Sequence, residues 1–407
     1  MFEIINGGLS ENTMSSKKKF ISGYVTNTRL MGVVCVYAKW FLSDNEQMQY
    51  MHQFFYLDAE EFGLDTYECI LGPDNEETNE EVSRKEDAMA GGLGGKKIPI
   101  DECELLFLIQ DYASFNRKNG FELPMNNPEF AELLSKRVDL SFDEQARLMR
   151  KQCEPVTTEY QAINYFLMRC FGRDFTAAKY LTGEIIRTDI FPELHACTLL
   201  KNEIEEVSSS MNIAQDGDSF KTRRTFLNQS VVEDDGNYYM VVTEVTLEGL
   251  KVVKYARNSA FGLSEMEVGM LTSRSEYITS FSYLGDIENF NSDSIEMLKK
   301  AQRTPYDSGI LFMLFNPSNA HVKNRIFRLN DDVFGVLFVQ PNNQVLVSAF
   351  DKQNIKSLEN DLMLSNSKML FLPTAKYCFN DPVLFDYIQS GFDDFEEFVD
   401  MISETEE

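Results

Sequence analysis

Near the N-terminus, apolar side chains come in short runs, Phe20 to Val25, Met31 to Phe41 and Tyr50 to Leu57. These runs are rich in β-branched and aromatic types and are separated by the turn formers Asn27-Thr28 and Ser43-Asp44-Asn45. The pattern predicts an antiparallel meander. Acidic residues then crowd the chain from Asp58 to Asp87, and Gly91-Gly92-Leu93-Gly94-Gly95 follows, so the segment 73–95 reads as an acidic, glycine-rich surface loop. Asp101 followed by Glu104 has the form of an N-cap pair. Leu105, Leu108, Ile109 and Tyr112 recur at helical spacing up to Asn119-Gly120, which predicts one helix covering the sheet. Residues 1–120 are therefore expected to form a β-rich domain.

Strand signals thin out over 121–215. Ser141-Phe142-Asp143-Glu144 and Thr158-Glu159-Tyr160-Gln161 match the capping box, and each predicts a helix start. Leu194 to Val207, closed by Ser208-Ser209-Ser210, reads as a further amphipathic helix of this helical domain. Past the polar linker Gln215 to Asp218, Asp235-Gly236 and Glu248-Gly249 separate Phe226 to Val232, Tyr238 to Val245 and Leu250 to Tyr255, the spacing of a three-stranded meander. Ser264 with Glu267 marks a short helix. Tyr277 to Tyr283, Ile310 to Phe315, Val333 to Val339, Gln344 to Phe350 and Lys368 to Leu372 read as strands, with helices over 354–364 and beyond Asp381-Pro382. The expected fold class is α+β, with antiparallel β-rich N- and C-terminal regions flanking a helical middle segment, and 216–407 as the third domain. The apolar runs around Gly32 and Gly335 are alike, but so short a match does not establish a duplication.

At 43% hydrophobic and 25% charged, the chain has the composition of a folded globular protein. Charge narrows the partners: 38 Lys and Arg against 65 Asp and Glu leave a net charge of −27, which repels phosphate backbones and anionic membrane surfaces. Nucleic-acid binding is disfavoured. No apolar run approaches the roughly 20 residues of a membrane helix, and the first residues carry no secretory signal pattern, so a cytoplasmic location is expected. The seven cysteines are scattered singly with no CxxC pair, which points to buried free thiols.

Candidate chemistry is sparse. Ala90 to Lys97 fails the Walker A pattern at two positions, where Ala90 replaces its first glycine and Lys97 its hydroxyl residue. His195-Ala-Cys197 is the nearest approach to a metal or nucleophile pair, yet residues two apart on a helix point in different directions. His52 and His321 are distant from it. Asp216-Gly217-Asp218 lacks the remaining ligands of a calcium loop, and Asp393-Asp394 sits in an acidic helix. The basic clusters Lys17 to Lys19, Lys221 with Arg223-Arg224, and Lys299-Lys300 with Arg303 are expected to pair with neighbouring carboxylates. No catalytic, metal or cofactor residue is assigned, and no cofactor is expected.

Partner binding has one sequence candidate. From Phe385 onward, Ile388, Phe392, Phe395, Phe398, Val399 and Ile402 recur at three- or four-residue steps with acidic residues on the other faces. Phe392, Phe395, Phe398 and Ile402 therefore mark an acidic amphipathic helix that either docks on its own domain or enters a protein partner's groove. The leading expectation is a non-enzymatic protein- or ligand-binding module. Its alternative is a hydrolase with a site assembled from distant residues in an inter-domain cleft; oligomeric state is open.

Overall fold

The structure, a computed structural model, describes residues 3–4, 18–42, 49–90, 95–124, 128–182, 196–213, 220–287, 290, 292, 295–315, 326–328, 333–364 and 370–405. The fold is mixed α+β, with antiparallel sheets toward both ends and helices between them. Two compact units form, one from residues 1–264 and 323–327, the other from 265–322 and 328–407.

In unit 1, strands β1 (Glu3–Ile4), β2 (Lys18–Thr26), β3 (Val33–Leu42), β4 (Tyr50–Asp58), β5 (Gly63–Gly72) and β6 (Lys97–Pro99) make one sheet in the order β1-β5-β4-β3-β2-β6. The expected meander is its centre. Successive side chains of a strand face opposite ways, so Val36, Ala38 and Phe55 join one core while Tyr37 and Phe54 join another. The second core is closed by helix α1 (Glu76–Ala90), which corrects the loop expected over 73–95. Asn75 Oδ1 accepts the Thr78 N–H at 2.9 Å and caps the helix, acidic residues fill its first turn, and Val82 is buried. The carboxylates that suggested a solvated loop are partly paired: Glu86 takes Lys97 Nζ at 2.6 Å and the Tyr24 hydroxyl at 2.7 Å. Residues 91–94 of the glycine run lie outside the described residues.

Helix α2 (Glu102–Asn119) covers the first core, as its spacing predicts, with a complete capping box from Asp101 and Glu104 and a left-handed Gly120 at its end. Four helices follow: α3 (Pro128–Ser135), α4 (Phe142–Gln152), α5 (Glu159–Phe171) and α6 (Phe175–Tyr180). Both expected starts are present. Ser141 forms its capping box with Glu144, whereas at Thr158 only the forward bond to the Gln161 N–H is made.

The second sheet of unit 1 is a meander of β7 (Thr198–Ile213), β8 (Phe220–Asp234), β9 (Asn237–Glu248) and β10 (Lys251–Leu263). The helix expected over 194–207 is thus mostly strand β7. Bulges at Leu199/Lys201 and Glu206/Ser208 break the alternation of period two, which left apolar positions at helix-like intervals. Among the described residues of this segment the last helix ends at Tyr180; Phe130, Leu133 and Leu148 pack with the first sheet, Ile163, Phe166 and Phe171 with the second. A buried amide network fixes α5 on that second sheet. Asn202 Nδ2 donates to Asn164 Oδ1 at 2.9 Å and to Asn228 Oδ1 at 3.1 Å, and Asn202 Oδ1 accepts from Ser230 Oγ at 3.0 Å.

Unit 2 begins with helix α7 (Glu265–Thr272). Its sheet contains β11 (Glu276–Tyr283), β12 (Gln302–Tyr306) and β13 (Gly309–Phe315). β14 (Ile326–Arg328) instead extends the second sheet of unit 1 beyond β7. β15 (Val333–Val339), β16 (Gln344–Ala349) and β17 (Phe371–Phe379) complete the order β12-β13-β15-β16-β11-β17. Helix α8 (Lys352–Leu364) covers one face of this sheet, and α9 (Leu384–Ser390) with α10 (Phe395–Thr405) covers the other. Glu276 of β11, 1% exposed, caps α9 from outside the helix, accepting the Val383 N–H at 2.6 Å and the Leu384 N–H at 3.1 Å.

Candidate functional site

The sequence candidates fall in separate places. Phe395 and Phe398 are buried in unit 2, and Phe392 and Ile402 pack partly buried against the same cluster. Tyr387 meets the Phe395 ring edge-on at 5.0 Å, so the apolar stripe of α10 lies on its own sheet and its acidic face remains outward. Asp394 Oδ1 accepts the Glu396 and Glu397 N–H groups at 2.7 and 3.1 Å, a helix cap in place of a metal ligand. His52, 2% exposed, lies in the first sheet with Nδ1 2.7 Å from the Tyr37 hydroxyl, and burial, with Lys39 adding to it, pulls its pKa down to about 4. His195, His321 and Asp216 to Asp218 lie outside the described residues. Cys197 is buried, and burial pushes its thiol up to about 12. Among the described residues, no group of three or more His, Cys, Asp or Glu is placed to hold a metal ion. Members of each basic cluster are paired: Lys18 with Glu132 at 2.6 Å, Arg223 with Glu248 at 2.9 Å, Arg224 with Glu159 and Glu206, and Lys299 with Glu296 at 2.6 Å.

What the structure does assemble is a cleft in unit 1. Its main cavity, of about 920 Å³, is bounded by Glu60 and Glu61 after β4, Arg173 and Phe175 around the α5–α6 junction, and Glu233 to Asp235 at the β8–β9 turn. A smaller cavity of about 240 Å³ shares Phe115, Arg173 and Phe175 with it and adds Arg29, Asp111, Lys118 and Asp174. The segments that meet here are turns and helix ends, which a rigid scaffold presents more freely than element interiors.

A buried charge network underlies the cleft. Arg29 donates from Nε and Nη2 to the two oxygens of Asp174 at 2.9 and 3.2 Å and from Nη1 to Gln152 at 3.0 Å, so this guanidinium is bidentate and satisfied. Burial opposes ionisation of Asp174, but Arg29 outweighs it and holds the carboxyl below the usual carboxylate range. Glu60 pairs less completely. Arg169 Nη1 stands 2.7 Å from Glu60 Oε1, yet neither atom, nor Arg169 Nε, has a hydrogen-bond partner. Burial lifts Glu60 to about 7 despite Arg169, with the like charges of Asp58 and Asp174 adding to the rise.

Backbone detail at the α5–α6 junction serves this network. Gly172 leaves room for the Glu60 carboxyl: a Cβ there would lie 1.5 Å from Oε1. The next residue, Arg173, has φ of +64°, a left-handed conformation that an L side chain adopts at a cost. Asp235, with φ of +48°, is on the same cavity wall, and there the positive φ is what the two-residue Asp-Gly hairpin turn requires.

The chain matches no protein-family model, no curated protein and no solved structure. Its function therefore has to be read from the cleft. Sequence reasoning missed these residues because Glu60, Arg173 and Asp235 are far apart in the chain and belong to no spaced motif. Asp235-Gly236 was visible as a turn, but that signal does not say what faces it.

Proposed function

We propose that the chain is a cytoplasmic binding protein that holds a small cationic molecule in the unit 1 cleft. The observation that carries this reading is the wall of the main cavity, where Glu61, Glu233, Asp234 and Asp235 stand with Phe121 and Phe175. Its volume of about 920 Å³ falls within the roughly 300–1,000 Å³ of small-molecule sites. Carboxylates complement an ammonium or guanidinium group, and aromatic faces add cation–π attraction. All seven cysteines are free and five are buried, which supports a reducing compartment.

Titration calorimetry with spermidine tests the reading. Saturable binding is expected, lost in the double variant Glu61→Gln/Asp235→Asn and retained in Asp393→Asn/Glu397→Gln, which removes as much charge from the end of unit 2. No binding, or equal weakening by both variants, would sink the proposal, since the latter means attraction to net charge alone.

Acid–base hydrolysis is a second reading with one observation in its favour, the Glu60 carboxyl poised near neutrality on the cleft wall. Turnover of an ester or glycoside that vanishes in Glu60→Gln would establish it in place of simple binding.

A further inference from the structure

Glu60 stands between a buried cation and the main cavity. It lines that cavity and keeps 25% of its side chain exposed, while Arg169 of α5, 2% exposed, has Nη1 2.7 Å from Oε1. Two glycines make room for the carboxyl: a Cβ at Gly172 would collide with Oε1, and one at Gly32 would stand 3.0 Å from both Oε2 and Arg169 Nη1. Yet neither Glu60 Oε1 nor Arg169 Nε and Nη1 has a hydrogen-bond partner. A buried ion pair offsets its desolvation only when hydrogen bonds complete it, and here they are missing. The other charged groups near Glu60 are Asp58 and Glu61 on its own turn and Asp174 at the start of α6; Arg173 and Glu233 to Asp235 also line the cavity. Asp58 Oδ1 accepts the Glu60 and Glu61 N–H groups, and Asp174 is paired with Arg29. Burial and the three near carboxylates oppose ionisation, Arg169 favours it, and the balance leaves the Glu60 carboxyl titrating at about 7.

We infer that Glu60 couples ligand binding in this cleft to a proton: a cation on the cavity side takes the ionised carboxylate as a contact, the Glu60 proton leaves to solvent, and affinity rises with pH. This rests on the cation-binding reading above and adds its regulation. Arg169 supplies one positive charge without hydrogen bonds, which leaves ionisation evenly balanced. A second positive charge, brought by the ligand to the exposed side of the same carboxyl, tips it. Linkage makes the effect reciprocal, so a ligand that expels the proton binds less tightly while the proton is in place. Carboxylates of ordinary pKa are ionised throughout the neutral range, and a cleft built of them alone would bind a cation equally at pH 6 and pH 7.5. Glu60 makes the cleft release its cation as the solution turns acidic.

Titration calorimetry of the full chain with spermidine, repeated in two buffers of different ionisation enthalpy, counts the protons exchanged. About half a proton is expected to leave per ligand bound at pH 7, and affinity is expected to rise about fivefold between pH 6 and pH 7.5, where the amines of spermidine stay charged. In Glu60→Gln, which imitates the protonated side chain, affinity should stay at the wild type's acid-side value and no proton should be released. Arg169→Gln keeps the carboxyl and removes its favourable neighbour, so the rise in affinity should move to higher pH. If spermidine binds the wild type without releasing a proton, the inference is overturned while cation binding stands, and that measurement needs no variant. Proton release that persists in Glu60→Gln, or a pH profile unmoved in Arg169→Gln, would overturn it too, because the proton would then belong to another group. If spermidine does not bind at all, both readings fall.

Discussion

Arg173 is the residue whose backbone and side chain make opposite demands. Its φ of +64° favours glycine, and an L side chain there costs about 1–2 kcal/mol. The prediction separates the two demands: Arg173→Gly should be about 1 kcal/mol more stable than Arg173→Ala in urea unfolding, since both lose the guanidinium and only alanine keeps the strain. Equal stabilities would mean that the left-handed conformation carries no cost. His52 gives a second prediction at this scale. Burial lowers its pKa to about 4 from an ordinary 6.5, so the unfolded chain takes up the proton first as the solution is acidified. The neutral ring's contribution is complete above pH 6.5 and is lost as the pH falls toward 4, by about 3 kcal/mol at most. In His52→Gln that loss is absent, so the stability gap between wild type and variant should shift toward the variant across this window. A gap independent of pH would show that the ring titrates normally.

At the scale of elements, the informative cases are those where local pattern and tertiary context disagreed. The acidic run around Glu76 to Glu81 looks solvated because charge dominates its composition, yet Thr78 and Val82 face inward one turn apart and Asn75 caps the start. Asn75→Ala should cost about 1 kcal/mol and speed amide exchange within 76–90, while leaving exchange in α2 unchanged. The helices led by Asp101 and Ser141 were legible because their caps are local, and the strands around Asp235-Gly236 were legible because the turn fixes their pairing. Strand β7 was misread because its bulges are set by β8, a partner that spacing does not name. The cap on α9 was wholly invisible, since Glu276 stands 107 residues before Val383. Removing that carboxylate in Glu276→Ala leaves two backbone N–H groups without their acceptor and should cost about 1–3 kcal/mol. Glu276→Gln should cost less, because its carbonyl still accepts a hydrogen bond and no charge is buried.

For the whole molecule, the net charge of −27 is the term that no single contact represents. Close pairs such as Arg29 with Asp174 neutralise charge locally, but the excess carboxylates repel one another across the surface at separations where water and salt set the interaction. Raising ionic strength from about 0.01 M to 0.15 M shortens the screening length from roughly 30 Å to roughly 8 Å, which weakens this repulsion more than it weakens a buried pair. The folded state, being more compact than the unfolded chain, gains from the change. The melting temperature should therefore rise with sodium chloride over this range, by about 2–4 °C for each kcal/mol of repulsion removed. The cleft responds in the opposite sense, because the same screening weakens attraction between its carboxylates and a cationic ligand, so spermidine affinity should fall as stability climbs. Thermal melts and calorimetry along one salt series measure both. A melting temperature that drops with salt would mean that surface ion pairs outweigh the excess charge, and an affinity indifferent to salt would remove the acidic wall from the account of binding.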